Sequence, residues 1–217
     1  MAPCGPSKDQ SPPQSILDHS ETAEKVPYSA LRSVKAHFLL WLTALAGLGA
    51  DQFSKQWAVK TIGSPPEQGQ LLAPDAFFEP IVIIENYLRF ATVHNTGAVA
   101  GTLAGKTILL IAASIAALVF LFWLFATSRC HQWLTHIALG MLLAGALGNM
   151  YDRLFNQGRV IDFIEVDLHV WPANPWPTFN IADILLCVGV GVLLLGLLIG
   201  RPRSAARKNQ GTAPPPC

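Results

Sequence analysis

The chain has 217 residues, 51% hydrophobic and only 13% charged, with a formal net charge of +1. Soluble globular domains carry roughly 25% charged residues, so about half that share, with long apolar runs and a mean hydropathy of +0.37, points to a membrane protein. The charges lie between apolar runs rather than on one face, which gives no basis for nucleic-acid binding; the four cysteines show no CxxC or other metal spacing, and no metal or cofactor is expected.

Residues 1–35 are rich in Pro, Ser, Gln and charge, which predicts a disordered extension. This stretch is too long and polar for the basic start of a cleaved signal peptide, so the apolar run after it is expected to stay as an anchor. That run, 36–50, must borrow residues beyond Asp51 to cross a hydrocarbon core of ~30 Å. Residues 81–93 hold Val, Ile, Tyr, Phe and Thr around Glu85-Asn86, the mark of a small hairpin. The second run, 107–126, has no charge. The third, 134–151, carries His136 near its start and Gly145, Gly148 and Asn149 near its end, small residues that let helices approach closely in lipid. In the aromatic segment before the fourth run, Trp171 and Trp176 are expected to anchor the interface. The fourth run, 184–200, includes Cys187, read as a buried inert thiol. Residues 201–217 resemble the N-terminal extension in composition.

The expected architecture is an all-α membrane protein: four transmembrane helices within one domain, 36–200, and a small extracytoplasmic β element between the first two. Lys25, Arg32 and Lys35 precede the first run, Arg129 lies between the second and third, and Arg201, Arg203, Arg207 and Lys208 follow the fourth. The positive-inside rule makes that side, and both termini, cytoplasmic.

The third run then travels outward and the fourth returns, so Asp152 and Asp183 reach the same outer surface. Eighteen residues of helix rise ~27 Å, which brings Asp152 to that boundary. Asn149 and Asp152 are three residues apart, as are Asn180 and Asp183, so each acid shares a helix face with an amide. Two carboxylates around one water share a proton, and such a pair hydrolyses peptides without a metal. An acid at a helix start can equally serve the helix dipole, so spacing alone leaves Asp183 open to both roles.

Five segments in order carry a resemblance: D-Q-F-S-K at 51–55, N-T-G-A-V-A-G at 95–101, G-A-L-G-N-M-Y-D-R at 145–153, V-I-D-F at 160–163 and F-N-I-A-D at 179–183. Together they resemble lipoprotein signal peptidase (signal peptidase II). The resemblance implies an aspartic peptidase of the bacterial cytoplasmic membrane that removes the signal peptide from diacylglyceryl-modified prolipoproteins, cutting just before the lipidated cysteine. It further implies Asp152 and Asp183 as the catalytic pair, a site facing the periplasm or exterior, and membrane lipid as the surroundings of a monomer.

Other motif residues have possible supporting roles. Asp51 and Lys55 could pair on one helix face or stand as an exposed pair worth a few tenths of a kcal/mol. Asn95 and Gly97 could hold substrate main chain or form an ordinary turn. Asn149 and Asn180 could orient the acids. Arg153 could hold a carboxylate or lipid phosphate, or merely snorkel. Asp162 could pair with Arg153 or support the catalytic acids, while Glu165 and Asp167 read as solvated loop charges. Ala100 stands where the family commonly has an aromatic residue. The rival reading, a small transporter, predicts acids near mid-bilayer, broken helices and an internal repeat.

Overall fold

The computed structural model describes residues 29–63, 80–97, 103, 105–169 and 176–199; Trp171, Ala100, residues 1–28 of the predicted disordered extension 1–35 and the predicted tail 201–217 lie outside them. Residues 29–35 of that extension are structured, with Ala30 buried in a 3-10 turn before the first helix. Among the described residues the fold consists of four long helices and a three-stranded antiparallel sheet.

Helix α1, Val34–Ile62, starts at Ser33, whose hydroxyl accepts the Ala36 N–H at 3.3 Å. It is much longer than the apolar run 36–50, because Asp51 and Lys55 are buried against other elements instead of ending the helix at a water boundary. Gly63, at φ 106°, closes it in a conformation that a side chain would oppose. Helix α2, Thr107–Thr127, coincides with the second apolar run to within a residue, and α3, Trp133–Phe155, extends the third at both ends. Helix α4, Ile181–Ile199, begins three residues before the fourth run. By length and composition α2 and α3 can each cross a membrane, and the apolar part of α4, Ile181–Gly196, is shorter.

Helix α3 is the central element, flanked by α1, α2 and α4. Leu40, Phe125, Leu139, Leu142 and Leu143 form a core toward its N-terminal end. There His136 is fully buried, its Nε2 3.2 Å from Ser128 Oγ and its ring edge-on to Phe125. Gly145 allows the closest approach of α4, since a Cβ there would sit 2.5 Å from the Ala182 carbonyl oxygen. The outer faces of α2 and α4 stay apolar: Ile108, Val119, Trp123, Leu194 and Leu198 are exposed. Cys187 is also exposed, contrary to the buried thiol expected from its apolar run.

The predicted hairpin is present as β1, Ile81–Ile84, and β2, Leu88–Asn95, turning at Glu85-Asn86-Tyr87 with Asn86 at φ 64°. Asparagine tolerates that left-handed conformation better than most residues. Sequence reading missed a third strand: β3, Val160–Val166, pairs with β2 so that Val93 faces Asp162 and Asn95 faces Val160. Glu165 therefore belongs to a strand rather than a loop, and it forms an ion pair with Arg89. Asp167 is the partly exposed residue expected, with its carboxylate accepting the His169 N–H. The sheet packs on the extension of α1 through Ala58, Ile62 and Phe163. Through Phe179, whose carbonyl accepts the Phe163 and Ile164 N–H groups, β3 is tied to the chain two residues before α4.

Candidate active site

Polar side chains from α1, α3, β2, β3 and the start of α4 converge where the sheet meets the helices. They form two linked networks.

Lys55 centres the first. Its Nζ lies 2.8 Å from Asp51 Oδ2 and 2.9 Å from Asp152 Oδ2, and it donates to Asn149 Oδ1 at 3.3 Å. Lys55 is 1% exposed, Asp51 0% and Asp152 4%. The possibility of an exposed Asp51–Lys55 pair is thereby excluded. A lysine this deep is tolerated only with its donors matched, and removing one partner of a buried ion pair typically costs about 3–5 kcal/mol. Asp51 Oδ1 accepts the Ala182 N–H at 2.9 Å, so a carboxylate from α1 caps the first turn of α4. Gly148 makes room for it: an added Cβ would collide with Asp51 Oδ2.

Asp152 is saturated. Besides Lys55, its Oδ2 accepts the Ile161 N–H at 3.1 Å and its Oδ1 accepts Gln52 Nε2 at 3.2 Å. It therefore ties α3 to α1 and to the start of β3. Gln52 was not singled out as a site residue; its only sequence signal is its place inside the 51–55 motif.

The second network surrounds Asp162 and Asp183. Asn180 is the N-cap of α4: its Oδ1 accepts the Asp183 N–H at 3.0 Å, and Asp183 Oδ2 accepts the Asn180 N–H at 3.2 Å. This reciprocal pattern is a capping box, so Asp183 does support its helix end. Its other oxygen accepts Asn149 Nδ2 at 2.9 Å. Asn180 Nδ2 donates at 2.6 Å to Asp162 Oδ1 and at 3.2 Å to Asn149 Oδ1. Asp162 Oδ2 accepts Asn95 Nδ2 at 2.9 Å. One asparagine thus touches both acids.

Burial pushes the Asp162 carboxyl up to about 7; the bond from Asn95 opposes the rise and the nearby charge of Asp183 adds to it. Asp183 is only half-buried, whereas Asp162 and Asp152 are both buried, so Asp183 is the acid of the site that reaches the exterior of the fold.

The remaining candidates fall around these acids. Asn95 is both a turn former, its Oδ1 accepting the Gly97 N–H at 2.9 Å, and a ligand of Asp162. Arg153 holds backbone carbonyls: Nη2 donates to Gly97 at 3.0 Å and Nη1 to Asn149 at 3.3 Å. Asp162 is held by the two amides, Asn95 and Asn180, and the guanidinium of Arg153 braces the turn at Gly97 against α3.

Comparison with known proteins identifies the group to which this arrangement belongs. The family model for Signal peptidase (SPase) II matches residues 43–199. Lipoprotein signal peptidase of Clostridium novyi (strain NT) is 34% identical over 72% of this chain and 95% of its own length. That of Syntrophotalea carbinolica is 38% identical over 72% and 89%, and that of Pseudomonas syringae pv. tomato 34% over 73% and 84%. A solved structure described as a bacterial membrane enzyme at 2.3 Å resolution superposes with TM-score 0.60 at 27% identity, covering 79% of this chain and 93% of that one. A second, described as a bacterial membrane enzyme at 1.9 Å, gives 0.56 at 29% identity over 72% and 90%. A peptidase of the membrane, the chain belongs to the signal peptidase II family.

Proposed function

We propose that this protein is an aspartic endopeptidase that removes the signal peptide from diacylglyceryl-modified prolipoproteins, cleaving just before the lipidated cysteine, and that its catalytic pair is Asp162 and Asp183. The observation that carries the pairing is Asn180, bonded to both carboxylates, beside an Asp162 whose proton leaves only near neutral pH. Two such acids hold one proton between them. The ionised member takes a proton from water as its oxygen attacks the scissile carbonyl carbon. The protonated member donates to the carbonyl oxygen, and as the C–N bond breaks the leaving amine takes the proton that the first member drew from water, while the re-forming carboxyl returns a proton to the second.

Asp152, the acid that spacing and resemblance favoured, is read instead as structural. Its carboxylate pairs with the buried Lys55 ammonium and ties α3 to α1 and to the start of β3, whereas Asn180 bonds Asp162 and Asp183. Asp51 and Gln52 share that structural role. Asn95, Gly97, Asn149, Arg153 and Asn180 shape the site around the pair.

All four helices are read as spans. The Ser29–Arg129 bridge joins the start of α1 to the α2–α3 turn, and the polar site lies at the opposite end of α3. Arg32 and Lys35 gather with Arg129 at the first end, which supports a cytoplasmic placement for it and an exterior placement for the acids. Residues 36–200 are read as one membrane domain of a monomeric enzyme in the bacterial cytoplasmic membrane.

The test is cleavage of a lipidated prolipoprotein in liposomes. Asp162→Asn and Asp183→Asn should each fold, insert and fail to cleave. Cleavage by folded Asp162→Asn would return the second catalytic role to Asp152, and cleavage by Asp183→Asn would end the aspartic mechanism. An unlipidated precursor should be cut far more slowly; equal rates would refute the lipid requirement.

A further inference from the structure

We propose that Lys55 decides which member of the pair is ionised: through Asn149 it holds Asp183 as the carboxylate and leaves the shared proton on Asp162. This rests on the Asp162–Asp183 pairing above and concerns the division of labour within it.

An ammonium has donors only. With Lys55 Nζ 3.3 Å away, the near edge of Asn149 must be its carbonyl oxygen, and Asn180 Nδ2, at 3.2 Å from the same atom, requires the same orientation. The Asn149 NH2 is consequently directed at Asp183 Oδ1, 2.9 Å away. A cation on the carbonyl side polarises the amide and strengthens its N–H donation, and a donor aimed at a carboxylate favours the ionised form. The other Asp183 oxygen accepts a backbone N–H at the start of α4, where the helix dipole also favours negative charge.

Asp162 differs on both counts. It too receives two amide bonds, but neither amide is linked to a cation: Asn95 is braced by the Gly97 N–H and Asn180 by the Asp183 N–H. It is also 2% exposed against a half-buried Asp183, and burial favours the neutral acid. The charge of Lys55 reaches Asp162 as well, but more weakly than burial opposes it. Asp183 is therefore the base that takes the proton from water, and Asp162 the acid that donates to the scissile carbonyl. Lys55 is a positioning residue, acting through Asn149.

Among the described residues, the charged and titratable groups near Asp183 are Lys55 and Asp51 from α1, Asp152 and Arg153 from α3 and Asp162 from β3, with His94 on β2 adjacent in sequence to Asn95. Lys55→Gln alone strands two buried carboxylates, so Lys55→Gln/Asp152→Asn, which leaves only Asp51 without its cation, is the principal variant. Because the double variant also removes the Asp152 charge, which opposes that of Lys55, Asn149→Ser, which keeps both charges, isolates the route from Lys55 through Asn149. In liposomes with a lipidated prolipoprotein, the acid limb of its kcat profile should move up by about one pH unit. Below that limb kcat falls about tenfold, the rate equivalent of one unit, with KM unchanged. Lys55→Arg should return the limb toward wild type. Asn149→Ser, which keeps Lys55 with its two carboxylates, should move the limb in the same direction even if the double variant does not fold. An unmoved limb in either folded variant, or a raised KM with unchanged kcat, overturns the role given to Lys55. Failure of the pairing itself would be seen separately, as cleavage by Asp162→Asn or Asp183→Asn.

Discussion

Replacing Asp162 by Asn should stabilise the protein at neutral and alkaline pH while removing its activity, and the sign of the effect should depend on pH. The carboxyl is raised from an ordinary 3.8 to about 7 because folding buries it. A carboxyl raised on folding carries no penalty below its unfolded value, and its ionisation costs stability increasingly as pH rises toward the folded value. Above about pH 7 the full cost is present, ~4 kcal/mol for a rise of this size. An Asn in its place does not ionise, but its NH2 must face one of two existing donors, Asn95 Nδ2 at 2.9 Å or Asn180 Nδ2 at 2.6 Å. That mismatch costs about 1–2 kcal/mol at every pH. The balance is a gain of ~2 kcal/mol near pH 8 and a loss of ~1–2 kcal/mol near pH 4. At ~2–4 °C per kcal/mol for a chain of this size, the melting temperature in detergent should rise by on the order of 5 °C at the higher pH and fall by a similar amount at the lower. A shift of the same sign and size at both pH values would refute the burial argument, whatever the variant does to cleavage.

Asp152→Ala leaves the Lys55 ammonium paired with Asp51 but orphans the Ile161 N–H, so it should destabilise by about 1–3 kcal/mol; thermal melts should show Lys55→Gln/Asp152→Asn, which leaves Asp51 buried without its cation, destabilised further. Gly148→Ala should cost about 1–3 kcal/mol by forcing Asp51 off the α4 cap, while Gly49→Ala, whose added methyl meets open space inside α1, should melt slightly above wild type, by up to ~1 kcal/mol of helix propensity. Arg89→Ala breaks a pair in which the arginine is half exposed, so it should change stability by less than ~1 kcal/mol and leave cleavage intact. A large loss of activity there would mean that the hairpin takes part in the reaction.

Hydropathy alone located α2, α3 and α4 to within a few residues, because a long apolar segment in lipid has to satisfy its backbone internally, which a helix does. The 81–93 composition likewise disclosed the hairpin and its Glu85-Asn86 turn. The motif spacing drew attention to every acid in the site. What the sequence could not disclose was which of those acids lose their water. Asp51 and Lys55, four residues apart on one helix, look the same in sequence whether they face solvent or a neighbouring helix. Only the approach of α3, permitted by Gly148, turns them into a buried anchor that lengthens α1 and engages Asp152. Asp162 sits in a short strand whose pairing partner, β2, is distant in the chain, and only that pairing carries it to Asn95 and to the capping box of α4. Ionisation depends on burial and on donors from separate elements. The chain therefore encodes the acids locally, while their roles are decided where three helices and a sheet meet.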